Sequence, residues 1–426
     1  MAMTGIRERL GSIGPEGLAR RAGWAGAVEV LQLISSLLVF FVLASLLTTA
    51  DYGRLGVVLG LALPTAGLTS FGSHVLLIKR VSQGEALGRA WPRATSIGIL
   101  GPVFGSLLLI AAVHPLYFAD KIDRWVFILL VVANVNFFWL GELAVFVGNS
   151  TRKLKEAAQI RFMIVSCRIL GLGWFALFGQ GELLRWAVAS FTSFALAAVL
   201  AVGFIWRVFG AYPSLRRGRL SDVSEGLPFS VNAVSEGLVD ASDRPLLGHY
   251  GKLDDVGIYT LAGRVAQMGY LPLRALMRAS DADLFQAGKR GTAAAFSVTR
   301  SLMLPSVGFG VVVGGGMLIL APIVPYLVGS KYDEAVLAIR LLSALPLIRG
   351  LQWLIGNTLS ASDHQMARVK ATWTAALLNL GLNLILLPTG TWRTAVFTTL
   401  VSEVYLTGAL ALTTLYWARR EAVAGP

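Results

Sequence analysis

Residues 229–249 read FSVNAVSEGLVDASDRPLLGH, and whether they cross a membrane decides the fold. With Asn232, Glu236, Asp240, Asp243 and Arg244 inside it, the stretch fails a hydropathy threshold by itself. Its surroundings argue the other way. On both sides apolar runs of about 20 residues recur, long enough to cross a hydrocarbon core about 30 Å thick. Their approximate limits are 23–48, 54–78, 92–113, 125–148, 158–179 and 183–206, then 228–249, 255–277, 295–320, 335–358, 367–388 and 393–416. Removing 228–249 would invert the second half of the chain, so it stands as the seventh of twelve expected helices. A barrel would need strands of about ten strictly alternating residues, which the sequence lacks.

Composition supports the same reading. Of 426 residues 55% are hydrophobic and 14% charged, with a mean hydropathy of +0.67. A soluble domain carries roughly 25% charged residues, so a soluble enzyme, a nucleic-acid binder and a disordered scaffold are excluded. The net charge of +13 reads as membrane orientation. If the spans alternate from a cytoplasmic N-terminus, the inside segments hold Arg7, Arg9, Arg20 and Arg21, then Lys79, Arg80, Arg89 and Arg93, then Arg152, Lys153, Lys155 and Arg161. The pattern continues to Arg419 and Arg420, and no outside segment holds more than two. Both termini are therefore expected in the cytoplasm, with the first span retained as an anchor. Cys167 is the only cysteine, and His74, His114, His249 and His364 are widely separated, so neither a disulfide nor a metal site is expected.

The chain echoes itself. Asp51-Tyr52-Gly53-Arg54-Leu55 opens the second span and Asp255-Val256-Gly257-Ile258-Tyr259 the eighth, each Asp placed to cap the helix that follows. A duplicated six-helix unit follows: a basic cytoplasmic N-terminus (1–22), an N-lobe (23–206), a cytoplasmic linker (207–227), a C-lobe (228–416) and a cytoplasmic tail (417–426).

Charges within spans point to function. A charge at mid-bilayer costs roughly 2.5–3.5 kcal/mol and is tolerated where it faces a bundle interior or a wet cavity. By depth, Arg168, Asp240, Arg264 and Glu403 lie near the midplane, with Asn134, Asn136 and Asn379 at similar depth. Arg168 and Arg264, one from each half, would build a cationic chamber suited to phosphate groups. Arg244 in the outer half and Arg349 towards the inner half are further candidates for its lining. Asp240 and Arg244, four apart on one face, are equally placed to pair with each other and only hold the fold. Arg340 and Arg349 point to opposite faces, so one of them snorkels or pairs elsewhere. Asn379 and Asn383 fit either cavity lining or interhelical glue. Glu29 with Gln32 is open in the same way. No Gly-rich nucleotide loop is present, and no loop has room for a catalytic set, so the chain is not expected to be an enzyme.

The order of elements resembles a known family. A basic N-terminus precedes Leu46-Leu47-Thr48-Thr49-Ala50-Asp51-Tyr52-Gly53. Later come Ala241-Ser242-Asp243-Arg244-Pro245-Leu246-Leu247-Gly248, Val256-Gly257-Ile258-Tyr259-Thr260-Leu261-Ala262, Ala338-Ile339-Arg340-Leu341-Leu342 and Leu378-Asn379-Leu380-Gly381-Leu382-Asn383. Together these resemble the polysaccharide (O-antigen-type, Wzx-like) flippases of the multidrug/oligosaccharidyl-lipid/polysaccharide exporter superfamily. The resemblance implies an all-α polytopic protein with two pseudo-symmetric six-helix lobes around a central cavity, in the bacterial cytoplasmic membrane. It further implies that an undecaprenyl-diphosphate-linked oligosaccharide is moved from the inner to the outer leaflet by alternating access. No bound cofactor is expected, only coupling to H+ or Na+, for which Glu29 and Asp240 are the candidates. Partners would be membrane lipids and the polymerase and glycosyltransferases of the same pathway. The alternatives are an ion-coupled multidrug exporter of the same superfamily and a membrane-embedded polysaccharide polymerase. Pro245 departs from the family pattern and is expected to bend the seventh helix.

Overall fold

A computed structural model describes the backbone of residues 15–215 and 217–424, and side chains for all of these except 15–30, 232, 236, 271–283 and 422–424. Residues 1–14, Arg216 and the side chains of Arg20, Arg21, Glu29, Asn232, Glu236 and Arg274 lie outside the described residues. Within them the chain forms twelve helical segments. They are α1 (Pro15–Leu46), α2 (Thr49–Ser82), α3 (Leu87–Tyr117), α4 (Arg124–Ser150), α5 (Leu154–Phe178), α6 (Leu183–Phe209), α7 (Leu220–Ala241), α8 (Leu253–Gly288), α9 (Thr292–Leu320), α10 (Leu345–Ala361), α11 (Gln365–Leu386) and α12 (Trp392–Ala424). Short helices follow α7 (Asp243–His249) and α9 (Ile323–Val328), and another (Asp333–Leu341) leads into α10.

Eight of these, α2 to α6, α9, α11 and α12, are long and apolar enough to cross a membrane. In α1 the described apolar part is Leu31–Leu46. The remaining three, α7, α8 and α10, are the ones that carry Asp240, Arg264 and Arg349.

The chain divides into two compact units. The first comprises Met1–Leu46 and Ala62–Ala233, the second Leu47–Leu61 and Val234–Pro426. The start of α2, as far as Leu61, and the end of α7, from Val234, thus belong to the second unit, whereas the sequence reading gave all of the second span to the N-lobe.

In the first unit α5 packs on α1 and α6, around a core that includes Leu77, Trp91, Leu143, Ile160, Cys167 and Ala201. The expected linker also changes. Helix α7 begins at Leu220, not at 228, because its first turns have partners. Asp222 is buried and accepts from Arg80 Nη2 at 2.5 Å, while its other oxygen reaches back to the Arg219 N–H at 3.0 Å, capping the helix start. One turn on, Glu225 accepts from Lys79 Nζ at 2.6 Å, and that bond holds its carboxyl below the usual range.

In the second unit α10 packs against α8, α9 and α12, and α11 against α12. The two echoing elements meet here. A Cβ on Gly53 would collide with the Leu253 carbonyl, and one on Gly257 with the Thr49 carbonyl. Two helices approach this closely only where both lack side chains. The capping expectation is corrected. Thr48 caps α2, its hydroxyl accepting from the Asp51 N–H at 3.0 Å and donating to the Asp51 carboxylate at 2.9 Å. Asp51 and Asp255 instead lie inside the first turns, where the helix dipole favours negative charge. Ahead of Pro245 the helix is interrupted at Ser242. Helix α7 stops at Ala241 and resumes at Asp243, so Pro245, which has no N–H, falls in a first turn where none is needed.

Candidate functional site

The polar residues of the second unit converge on Arg349. Helical spacing puts Arg349 and Gln352 on one face of α10, and Thr399 and Glu403 on one face of α12. Arg349 donates through Nε to Glu403 Oε1 at 2.8 Å and through Nη2 to the same oxygen at 2.5 Å. The same Nη2 reaches Asp240 Oδ1 at 2.6 Å, and Nη1 donates to the Tyr270 hydroxyl at 2.9 Å. Glu403 is 1% exposed, and its second oxygen accepts from Gln352 Nε2 at 2.6 Å. A buried carboxylate is tolerated when its ion pair and remaining lone pairs are satisfied, and here they are. Asp240 differs: its side chain is 45% exposed and holds Arg349 by a single bond.

Two hollows adjoin this cluster within the unit. One, of about 180 Å³, is lined by Arg349, Gln352, Trp353, Arg368, Thr372 and Glu403 among others. The other, of about 20 Å³, is lined by Arg244, Tyr259, Gln267 and Tyr270 among others. Asp240, Tyr270 and Arg349 line both.

Arg244 is 6% exposed, its guanidinium 5.9 Å from the centre of the Tyr259 ring. Its Nε makes no hydrogen bond among the described residues. Arg264, half-buried on α8, donates to Gln267 Oε1 at 3.1 Å. Neither has a carboxylate within ion-pair distance among the described residues. The pairing of Asp240 with Arg244 is not formed. Asp240 goes to Arg349, and Arg244 follows Asp243, whose carboxylate is already taken by the Tyr259 and Thr399 hydroxyls and the Arg244 N–H.

Asn379 and Asn383 are fully buried and act as glue between helices instead of lining a cavity. Asn379 Oδ1 accepts from Ser242 Oγ and from Asn383 Nδ2, both at 2.9 Å, and Asn383 Oδ1 accepts from Thr398 Oγ1 at 2.6 Å. Arg340 is the outward member of its pair, exposed and donating to the Leu318 carbonyl at 3.3 Å.

In the first unit, Arg168 is half-buried on α5, 6.0 Å from the Phe194 ring centre. Another pair there escaped the sequence reading. Arg161, counted only for orientation, makes a two-pronged ion pair with Glu142, and its Nη1 also reaches Gln32 Oε1 at 3.3 Å. Glu403, Gln352, Tyr270 and Asp243 were likewise not assigned to the site. The available signal was the stripe Thr398, Thr399, Ser402 and Glu403 in an otherwise apolar span.

A family model described as polysaccharide biosynthesis protein matches residues 18–274. The chain belongs to that family. Solved structures supply the fold of this polysaccharide biosynthesis family member. An inward-facing multidrug resistance MATE transporter of the MOP superfamily superposes with a TM-score of 0.72 at 14% identity, covering 91% of this chain and 94% of that one. An outward-facing multidrug resistance MATE transporter gives 0.64 at 15%, covering 92% and 93%. A MOP superfamily transporter from Pyrococcus furiosus, described as having a binding pocket of reverse polarity, gives 0.62 at 15% over the same shares. A search of curated proteins gives no significant match. The protein is therefore a polysaccharide biosynthesis family member with a MATE-like helical fold, and eight of its described helices are long and apolar enough to cross a membrane.

Proposed function

We propose that the protein flips a polyprenyl-diphosphate-linked oligosaccharide from the inner to the outer leaflet of the bacterial cytoplasmic membrane by alternating access. Its termini are cytoplasmic in this reading. The carrying observation is the pair Arg244 and Arg264, guanidiniums inside a membrane helix bundle with no carboxylate within ion-pair distance among the described residues. A diphosphate supplies the oxyanions that such donors lack, whereas a cationic drug would be repelled by them. Membership of a polysaccharide biosynthesis family supports the same substrate class. Glycosyltransferases would supply the lipid-linked glycan and a polymerase would use it after transfer.

A deletion strain tests this. Lipid-linked glycan should accumulate facing the cytoplasm and surface polysaccharide should be lost. Unchanged surface polysaccharide would reject the function.

A further inference from the structure

The five N–H donors of Arg349 are divided unequally. Nε and one Nη2 donor go to Glu403, one Nη1 donor goes to Tyr270, and the other Nη2 donor goes to Asp240. The Glu403 contact is the more heavily braced one. Glu403 is buried, sits against two donors of the guanidinium and is locked by Gln352 at both its carboxylate and its backbone carbonyl, at 2.6 and 2.8 Å. The Asp240 contact is the replaceable one, a single bond to a side chain that is nearly half exposed. Releasing it would free an Nη2 donor of Arg349, and a charged guanidinium N–H is a strong donor to a phosphate oxygen.

The hollow of about 180 Å³ has room for a phosphate or diphosphate. Its charge depends on Asp240. Two carboxylates, Asp240 and Glu403, face two guanidiniums, Arg349 and Arg368, so the lining is neutral when both acids are ionised. Protonation of Asp240 makes it positive by one charge. Among the described residues, the charged and titratable side chains around Asp240 are Arg349 on α10, Glu403 on α12, Tyr270, Tyr259 and Arg264 on α8, Arg368 on α11, and Arg244 beyond the break in α7; the Glu236 side chain, one turn before Asp240, lies outside them.

We propose that Asp240, Arg349 and Glu403 form a proton-gated anion site, in which a proton taken by the Asp240 carboxylate releases an Nη2 donor of Arg349 to bind one phosphate group of the substrate. The proton ends on an Asp240 oxygen, the Asp240–Arg349 ion pair breaks, and the Arg349–Glu403 pair stays intact. Arg349 is thus a cation tethered between two anions, one braced and one exchangeable. The inference rests on the flippase reading for the chemistry of its ligand.

The test uses the purified full-length protein in lipid nanodiscs with inorganic pyrophosphate as the probe, read calorimetrically at a single pH of 8 so that the probe's own charge is constant. Asp240→Asn, which mimics the protonated acid, should bind pyrophosphate about tenfold more tightly than the wild type, the range of ordinary site coupling. The double variant Arg349→Gln/Glu403→Gln, which removes both buried charges together and so keeps the fold, should lose the binding. Unchanged or weaker binding by Asp240→Asn overturns the proposal, as does full binding by the double variant. The two readings separate in proteoliposomes loaded with lipid-linked oligosaccharide. Flipping with unchanged pyrophosphate affinity in Asp240→Asn sinks only the gate. The predicted affinity pattern without any flipping sinks only the function.

Discussion

Gly53 and Gly257 hold the corresponding place in two similar sequence elements, and each lies against the backbone of the other's helix. The match is reciprocal. Gly53 faces the Leu253 carbonyl as Gly257 faces the Thr49 carbonyl, and Gly56 faces Thr260 one turn further along. Thr49, Gly53 and Gly56 are spaced as Leu253, Gly257 and Thr260 are, so α2 and α8 cross about a local twofold. The echo seen in the sequence is therefore a contact.

This contact should tolerate no side chain. Gly53→Ala and Gly257→Ala are each expected to destabilise the protein by about 1–3 kcal/mol, the usual cost of overpacking. Gly203→Ala, on α6 with open space at the Cβ position, should leave stability unchanged. Thermal unfolding of the detergent-solubilised variants, followed by size-exclusion recovery, distinguishes these outcomes.

Removing one member of the buried ion pair should cost more than removing both. Glu403→Ala leaves Arg349 with only the half-exposed Asp240, and a loss of about 3–5 kcal/mol is expected. Replacing Arg349 and Glu403 together by Leu should recover much of that loss. A double-mutant cycle on melting temperatures gives the coupling, and strictly additive effects would contradict the pair as described.

Transport should fail without a fold defect when the candidate substrate arginines are truncated. Arg168→Ala and Arg264→Ala are expected to abolish surface polysaccharide export while membrane insertion and monodispersity are retained. Full export by both variants would show that these positions do not carry the substrate.

The clamp at the start of α7 should weaken in acid. Glu225 has a depressed folded-state pKa because Lys79 donates to it, so its contribution is complete above the ordinary glutamate range and is lost as pH falls through the lower folded value. The contribution is at most about 1 kcal/mol, since both side chains are partly exposed. Glu225→Gln should therefore be less stable than wild type at neutral pH, with the gap closing below about pH 4. A gap that persists at low pH would assign the effect to packing.

The order of the long helices was legible because apolar run length acts along the chain, whereas boundaries set by partners, such as the start of α7 at Leu220 and the break after Leu341, were not. The polar stretch around Asp240 was placed correctly as a helix by the Lys/Arg bias alone. The partners of Asp240 were not legible. Spacing within one helix offers Arg244 four residues on, while the residue that takes the bond, Arg349, comes from α10 more than a hundred positions away. The same limit hid Glu142 from Arg161. The caps were misread for a simpler reason: Asp was favoured at the first position, whereas Thr48 occupies it and uses Asp51 as its reciprocal partner. Asn379 and Asn383 show that depth and polarity identify a residue that needs a partner, without saying whether that partner is a ligand or the neighbouring helix.

Cys167, the sole cysteine, is packed among Leu143, Ile160 and Ala201 in the first unit's core. The native thiol is thus shielded in the folded chain, and maleimide reagents added to intact membranes have no background target. A thiol placed at Trp353 or Thr372 would then report by itself whether water reaches the hollow beside Arg349, and the wild-type sequence needs no prior cysteine removal to serve as the scaffold.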